Sequence, residues 1–328
     1  MPPGAVVCPA PYAEWHSYVT TDGREYVFDR QTTRFVLSFS GYGMPPLEFV
    51  SERGPYQHGE TLLDYRLAPR RVTLAHRVVG GRRQEYWENR ATLLDLLRPN
   101  RGAAGSKGVL TLTTAQGDEY HLDVVLESGL IFPARSQDTW DEFSLQVEMV
   151  FLATDPTFYD PREKSALWGV NDLGGLWFWS GAHPNDLFFP VSFGADVVSG
   201  QQQIHCSGTW RAYPTLTIVG PLHRPVVSNV TTGKAIQLFY DVSAGESVIL
   251  SLPFGDKRVY NNSGRNLVGT VDPSSDLEEF SIAPEPEAGW CGVHSRPCGL
   301  NVIEVSGSGG VVGQTQVSLV YHDRYLGI

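Results

Sequence analysis

Short segments that alternate apolar and polar residues, cut by Gly, Pro, Asn and Asp, run through almost the whole chain, and only one segment has a helical period. A chain patterned in this way is confined to antiparallel sheets joined by tight turns. Residues 71–78 (RVTLAHRV) show the pattern well: Val72, Leu74, His76 and Val78 alternate with polar partners, as in a half-buried strand. Residues 109–114, 119–126 and 143–152 repeat it, with Gly117-Asp118 and Ser128-Gly129 as turn signals. Residues 26–28 and 34–39 predict a hairpin around the polar run 29–33.

The helical exception is 84–97. Tyr86, Arg90, Leu93, Leu94 and Leu97 fall on one face there, with Trp87 beside them. Arg98-Pro99-Asn100 ends it, because a residue preceding proline disfavours the α region. The stretch 100–108 (NRGAAGSKG) reads as flexible.

Two prolines within 155–161 (DPTFYDP) interrupt the alternation and mark a domain junction. The chain is thus expected to be mainly β, with two β-sandwich-like domains. Residues 1–158 form a β domain with a single α-helix. Residues 159–328 form an all-β domain with short strands at 177–179, 187–193, 215–219, 236–240, 247–252, 258–260, 278–282, 299–305 and 314–321. No repeat at a solenoid or propeller period is present.

Composition narrows the function classes. The chain is 41% apolar and 19% charged, enough apolar residues for a packed core. A net charge of −11 argues against a duplex-binding protein, which carries a basic face. No apolar run approaches the ~18 residues needed to span a bilayer, so no membrane insertion is expected. The first residues have neither a basic nor an apolar signal region, so the chain is expected to be made in the cytosol and to stay soluble there or leave by another route such as cell lysis. Cys8, Cys206, Cys291 and Cys298 are too few and scattered for a disulfide framework and read as free thiols. A disulfide between Cys291 and Cys298 is expected only under oxidising conditions. With His294 they offer three metal ligands where a structural site takes four, so no metal and no cofactor are expected.

No catalytic residue is assigned. The Gly-x-Ser-x-Gly elbow, His-Glu-x-x-His and the Walker loop are all missing. Asp276, Glu278 and Glu279 form an acidic cluster that reads as a solvated strand entry rather than a glycosidase pair. Residues 307–310 (GSGG) lack the Lys-Ser/Thr of a phosphate cradle and read as a hairpin loop. His16, His58, His76, His121, His205, His223 and His322 show no ligand spacing. The aromatic run Trp177, Phe178, Trp179, Phe188 and Phe189 suits a core or a protein interface. It also allows a glycan contact through Trp177, Trp179, His183 and Asn185. Residues 66–107 hold ten basic side chains against three acidic ones, a local balance of +7 that leaves −18 on the remainder. Such a stretch reads either as a solvated strand-helix face or as an interface steered by acidic neighbours.

Four segments carry a resemblance to a known family. They are RRVTLAHRVVGG with RQEYWENRATLLDLLRP, then FLATDPTFYDP, then GTWRAYPTLTIVGPLHRPVVSNVTTGKAIQL, and finally GLNVIEVSGSGG with TQVSLVYHDRYLGI. Their order and spacing resemble the distal tail protein family of siphoviruses, the long-tailed bacteriophages. Residues 168–203 and 285–297 depart from that pattern. The resemblance implies a non-enzymatic virion protein of the phage tail. Its N-terminal domain would close into a homohexameric ring around the DNA channel, and its C-terminal domain would be a galectin-like sandwich. The expected partners are other copies of the chain, the tail tube protein above, and the tail tip hub with adhesion modules below. DNA would pass without specific binding. Arg70, Arg71, Trp87 and Arg90 would lie near the ring interface, and Arg101 and Lys107 in the 100–108 loop would dock on a neighbouring ring. A carbohydrate-binding adhesin recognising the host envelope is the alternative from a different class. A cell-wall hydrolase would need a carboxylate pair or nucleophile constellation that the sequence does not offer.

Overall fold

The computed structural model of the chain describes residues 15–28, 34–98, 106–132, 144–169, 198–253, 255–291 and 296–328. It is mainly β with one α-helix, in antiparallel sheets. The chain divides into two compact units, residues 1–161 with 325–328 and residues 162–324. The second unit is therefore inserted into the first just before its C-terminus.

The first unit contains β1 (Trp15–Val19), β2 (Glu25–Phe28), β3 (Arg34–Ser40), β4 (Leu47–Glu52), β5 (Thr61–Leu67), β6 (Arg70–Val79), α1 (Arg83–Leu97), β7 (Gly108–Thr113), β8 (Glu119–Gly129), β9 (Ser144–Ala153) and β10 (Phe158–Tyr159). Its main sheet runs β2-β1-β7-β8-β9-β6-β3, with β10 added to β8. The alternation in β6 does what its period requires. Val72, Leu74 and Val78 are buried, and the long register with β9 sets Leu74 against Met149. Buried His76 is hydrogen-bonded to the Tyr26 hydroxyl at 3.2 Å and sits edge-on to Phe28, so it is a core residue.

Helix α1 buries Leu93, Leu96 and Leu97, roughly 1.5–3 kcal/mol for each side chain. Leu94 was expected on this face, but it is 42% exposed. The 3.6-residue period turns it away once Leu93 and Leu97 point inward. Arg98 ends the helix with ψ 134°, the extended conformation that Pro99 imposes.

The expected hairpin between 26–28 and 34–39 is not formed: β2 and β3 stand at opposite ends of the strand order. β2 pairs instead with β1, across a turn in which Thr20 N–H donates to Arg24 O and Gly23 adopts φ 80°. The turn chemistry of Thr20–Arg24 outweighs the polar run at 29–33.

The second unit contains β11 (Lys164–Gly169), β12 (Val198–His205), β13 (Thr215–Val219), β14 (Leu222–Asn229), β15 (Lys234–Gln237), β16 (Asp241–Val242), β17 (Ser247–Ser251), β18 (Arg258–Asn261), β19 (Trp290–Cys291), β20 (Arg296–Pro297), β21 (Leu300–Ser308) and β22 (Gln316–Tyr321). One sheet runs β11-β22-β13-β17-β18 and the other β12-β21-β14-β15, with β16 on β14. Leu216, Ile218 and Leu319 from the first sheet and Val227, Ile303 and Val305 from the second belong to one buried cluster, as in a sandwich.

Three expectations fail here. Residues 278–282 are turn and isolated bridge rather than strand, tied by the Ala212–Ile282 bridge. Strand β14 was not foreseen because Pro225 interrupts its pattern. The register with β21 shifts between His223 and Val226, where a proline is tolerated. Residues 307–308 end β21 and 309–310 begin the connection to β22 in the other sheet, so they are not a hairpin loop. The expected strands at 177–179 and 187–193 lie outside the described residues.

Two fully buried asparagines lock the second unit. Asn229 Nδ2 donates to Ser281 O at 2.9 Å and to Asn301 Oδ1 at 3.0 Å. Asn301 Nδ2 donates to Ala283 O and Gly299 O, and its Oδ1 also accepts the Ala283 N–H. Asn229 Oδ1 accepts the Thr231 and Thr232 N–H groups, which shapes the turn into β15. With these polar atoms paired, the network fixes one arrangement of three loops.

Candidate assembly site

Strands β4 and β5 form a two-stranded ribbon of their own. Direct cross-strand partners share a face of such a ribbon. Leu47 faces Leu67, Phe49 faces Tyr65 and Ser51 faces Leu62, so these pairs line one side. Glu48 with Arg66, Val50 with Asp64 and Glu52 with Thr61 line the other. A bulge between Val50 and Ser51 accommodates Leu63. The ribbon is therefore amphipathic, yet its apolar side is open: Phe49 is 61% exposed, Leu62 59% and Tyr65 47%. The tip is ordered by its own contacts. Gly54 N–H donates to Gln57 Oε1 at 2.9 Å, and Gln57 Nε2 donates to Thr61 Oγ1 at 2.8 Å. Tyr56 at the tip has φ 67°, a left-handed conformation uncommon for a bulky residue, and is fully exposed.

The ribbon is rooted on Arg70. Ala68 N–H donates to Pro46 O at 2.8 Å and closes its base. Two residues later the Arg70 guanidinium donates to the carbonyls of Pro156 (2.7 Å), Gly41 (2.7 Å), Gly43 (2.5 Å) and Leu326, and lies 4.5 Å from the Phe158 ring centroid. Arg70 was expected at the ring interface, but at 1% exposure it offers a neighbour no surface. It is an internal clasp. It holds the 41–46 entry to the ribbon, the 155–158 turn and the returning C-terminal segment. Burial pulls its pKa down to about 10, so it stays protonated at neutral pH. Gly41 is required beside it. Its φ is 95°, and a Cβ there would lie 2.2 Å from Arg71 O.

The other expected interface residues fall in different surroundings. Arg71 is exposed and forms a bidentate pair with Glu127 at 2.7 and 2.8 Å. Trp87 and Arg90 are brought together. The Arg90 guanidinium lies 4.8 Å from the Trp87 ring and 4.0 Å from the Phe132 ring. Leu94, one turn further along α1 from Arg90, is 42% exposed and extends this open apolar patch with a cation in it. Lys107 is exposed, and Arg101 lies outside the described residues. Trp177, Trp179, His183 and Asn185 also lie outside them, so the glycan reading rests on sequence alone. The ribbon was missed in the sequence. Its signal is present in LEFVSE and TLLDYRL, but Pro45, Pro46 and the bulge hide the alternation.

The acidic cluster of the second unit is held in ion pairs. Lys234 Nζ lies 3.1 Å from Asp276 and 2.5 Å from Glu279, and Lys257 Nζ lies 3.1 Å from Glu278. Asp276 also accepts the Ala235 N–H, which with Lys234 holds its carboxyl below the usual range. Cys298 is disulfide-bonded, against the expectation of free thiols, while Cys206 is a buried thiol pushed up to about 12, chiefly by burial. Among the described residues no group of three His, Cys, Asp or Glu could hold a metal ion, and no helix is long and apolar enough to cross a membrane.

No family model and no curated protein sequence matches the chain. Solved structures do. The crystal structure of SPP1 Dit, described as a paradigm of the hub adsorption apparatus in phages infecting Gram-positive bacteria, superposes with a TM-score of 0.58 at 11% identity, covering 95% of this chain and 99% of that one. The activated phage P2 baseplate matches with a TM-score of 0.44 at 9% identity, over 94% of this chain and 98% of that one. At 11% identity the likeness to SPP1 Dit is one of fold.

Proposed function

We propose that the chain is a non-enzymatic structural subunit of a phage tail, forming a ring that joins the tail tube to the tip hub and leaves a bore for DNA. The observation that carries this reading is the β4–β5 ribbon. An isolated two-stranded ribbon is marginal in water and is stabilised by packing against something else. Here its apolar side is open, on a unit of a chain whose fold is that of a phage hub protein. A subunit whose exposed apolar arm is covered on assembly accounts for both facts.

In this reading residues 1–158 build a ring of six copies. Residues 159–328, a galectin-like sandwich, serve contacts to tail-tip partners. The tail tube protein lies above and the hub with its adhesion modules below, within a virion assembled in the host cytoplasm. The carbonyl clasp of Arg70 keeps the ribbon's root fixed, which an assembly contact requires.

Light scattering of the purified chain across a concentration series tests the reading. A particle of six chains, or of two stacked rings, supports it. A strict monomer at every concentration, also after adding the tail tube protein, contradicts it.

A further inference from the structure

Two open apolar patches of the first unit carry opposite charges. The apolar side of the ribbon carries Phe49, Tyr65 and Leu62. It also carries an anion. Ser51 stands on that side and its hydroxyl is hydrogen-bonded to the Glu60 carboxylate, which has no cationic partner among the described residues. The second patch combines the Trp87 and Phe132 rings against Arg90 with exposed Leu94 one helical turn on. Arg90 is flanked by two aromatic rings and has no carboxylate partner among the described residues. One surface is thus apolar with an anion that meets no cation among the described residues, and the other apolar with a cation that meets no carboxylate among them.

We propose that the apolar side of the ribbon of one copy seats on the Trp87–Arg90–Phe132 patch of the next copy, with Glu60 pairing Arg90 across the contact. This rests on the ring reading and names the two surfaces that make the ring. The contact joins two different surfaces, so each copy keeps one donor and one acceptor patch. Such a head-to-tail arrangement closes into a ring when its rotation permits. A pairing of ribbon with ribbon would use the same surface on both copies and stop at two chains. The guanidinium is well suited to the proposed pairing, because its flat faces meet rings while its edge meets a carboxylate.

Complementation tests the proposal. One variant carries Phe49→Asp with Tyr65→Asp, and the other Trp87→Asp with Leu94→Asp; circular dichroism verifies that each is folded. Each alone is expected to be a monomer where the unaltered chain assembles. A mixture of the two is expected to give a 1:1 dimer, since one intact ribbon meets one intact patch and nothing can extend further. A charge swap supplies a second readout on milder variants. Glu60→Arg and Arg90→Glu should each raise the concentration for half-assembly at least tenfold, and the double variant should return to within about threefold of the unaltered chain. If the unaltered chain forms rings and both paired variants still do, this contact is wrong and the ring reading stands. If the Trp87 and Leu94 variant still dimerises, ribbons pair with ribbons and the proposal is overturned. An unaltered chain that never associates overturns the ring reading and this contact together.

Discussion

Phe49 and Tyr65 stand directly opposite each other across the β4–β5 ribbon, and each leaves about half or more of its surface open, at 61% and 47% exposure. A cross-strand aromatic pair contributes roughly 0.2–1 kcal/mol, too little to hold two strands together alone. The ribbon is accordingly expected to open more readily than the buried strands β6 and β9 of the first unit. Backbone amides of 47–52 and 61–67 should exchange with solvent far faster than those of β6 and β9 in the dissociated chain, and should become protected on assembly. Equal protection of ribbon and β6 in the dissociated chain would show that the ribbon needs no partner.

The Arg70 clasp predicts a large mutational effect at a residue that resembles its exposed neighbour in sequence. Arg70→Leu leaves four carbonyl oxygens without their donor and should destabilise the first unit by about 3–5 kcal/mol. Arg71→Leu removes only an exposed ion pair and should leave the stability of the unit nearly unchanged. Urea unfolding of the two variants separates them. Similar midpoints would mean that the clasp does not hold the unit together.

Asn301 makes a parallel case in the second unit. Asn301→Leu would take from Asn229 Nδ2 one of its two acceptors and leave the Ala283 N–H and the Ala283 carbonyl without the side chain they bond in a buried site, a loss of about 2–4 kcal/mol. Thermal unfolding by calorimetry measures it. A midpoint unchanged from the parent chain would sink the idea that this pair fixes the loops.

The Asp276 carboxyl gives a pH dependence with a definite sign. Its folded pKa is depressed by the Ala235 N–H and by Lys234. Its contribution is therefore complete above the unfolded carboxyl pKa of ~4, and is lost as pH falls through the lower folded value. Asp276→Asn should destabilise the second unit at pH 7, and the gap from the parent should narrow only below about pH 4. A gap that stays constant down to acid unfolding would exclude this linkage.

Much of the fold was legible because period-two alternation translates directly into buried and exposed faces. Strands β6, β7, β13 and β22 and the helix stop at Pro99 follow from pattern and turn chemistry alone. Where several turns compete, the pattern misleads: the Thr20–Arg24 turn, not the 29–33 run, closes the hairpin to β2. The role of Arg70 was not legible. Sequence offers two adjacent arginines, and only the tertiary arrangement sends one inward to carbonyls from residues 41, 43, 156 and 326. The return of residues 325–328 to the first unit has no local signal either, since its partners are distant in the chain. Of the candidate site, the Trp87–Arg90 pair was visible as neighbours on one helix. Phe132 was not, because sequence spacing says nothing of a stack across elements.

The most direct test of the account is electron microscopy of the purified chain at a concentration where it assembles. The account predicts closed rings with six-fold symmetry and an open central bore. Compact particles without a bore, or open chains that never close, would contradict it.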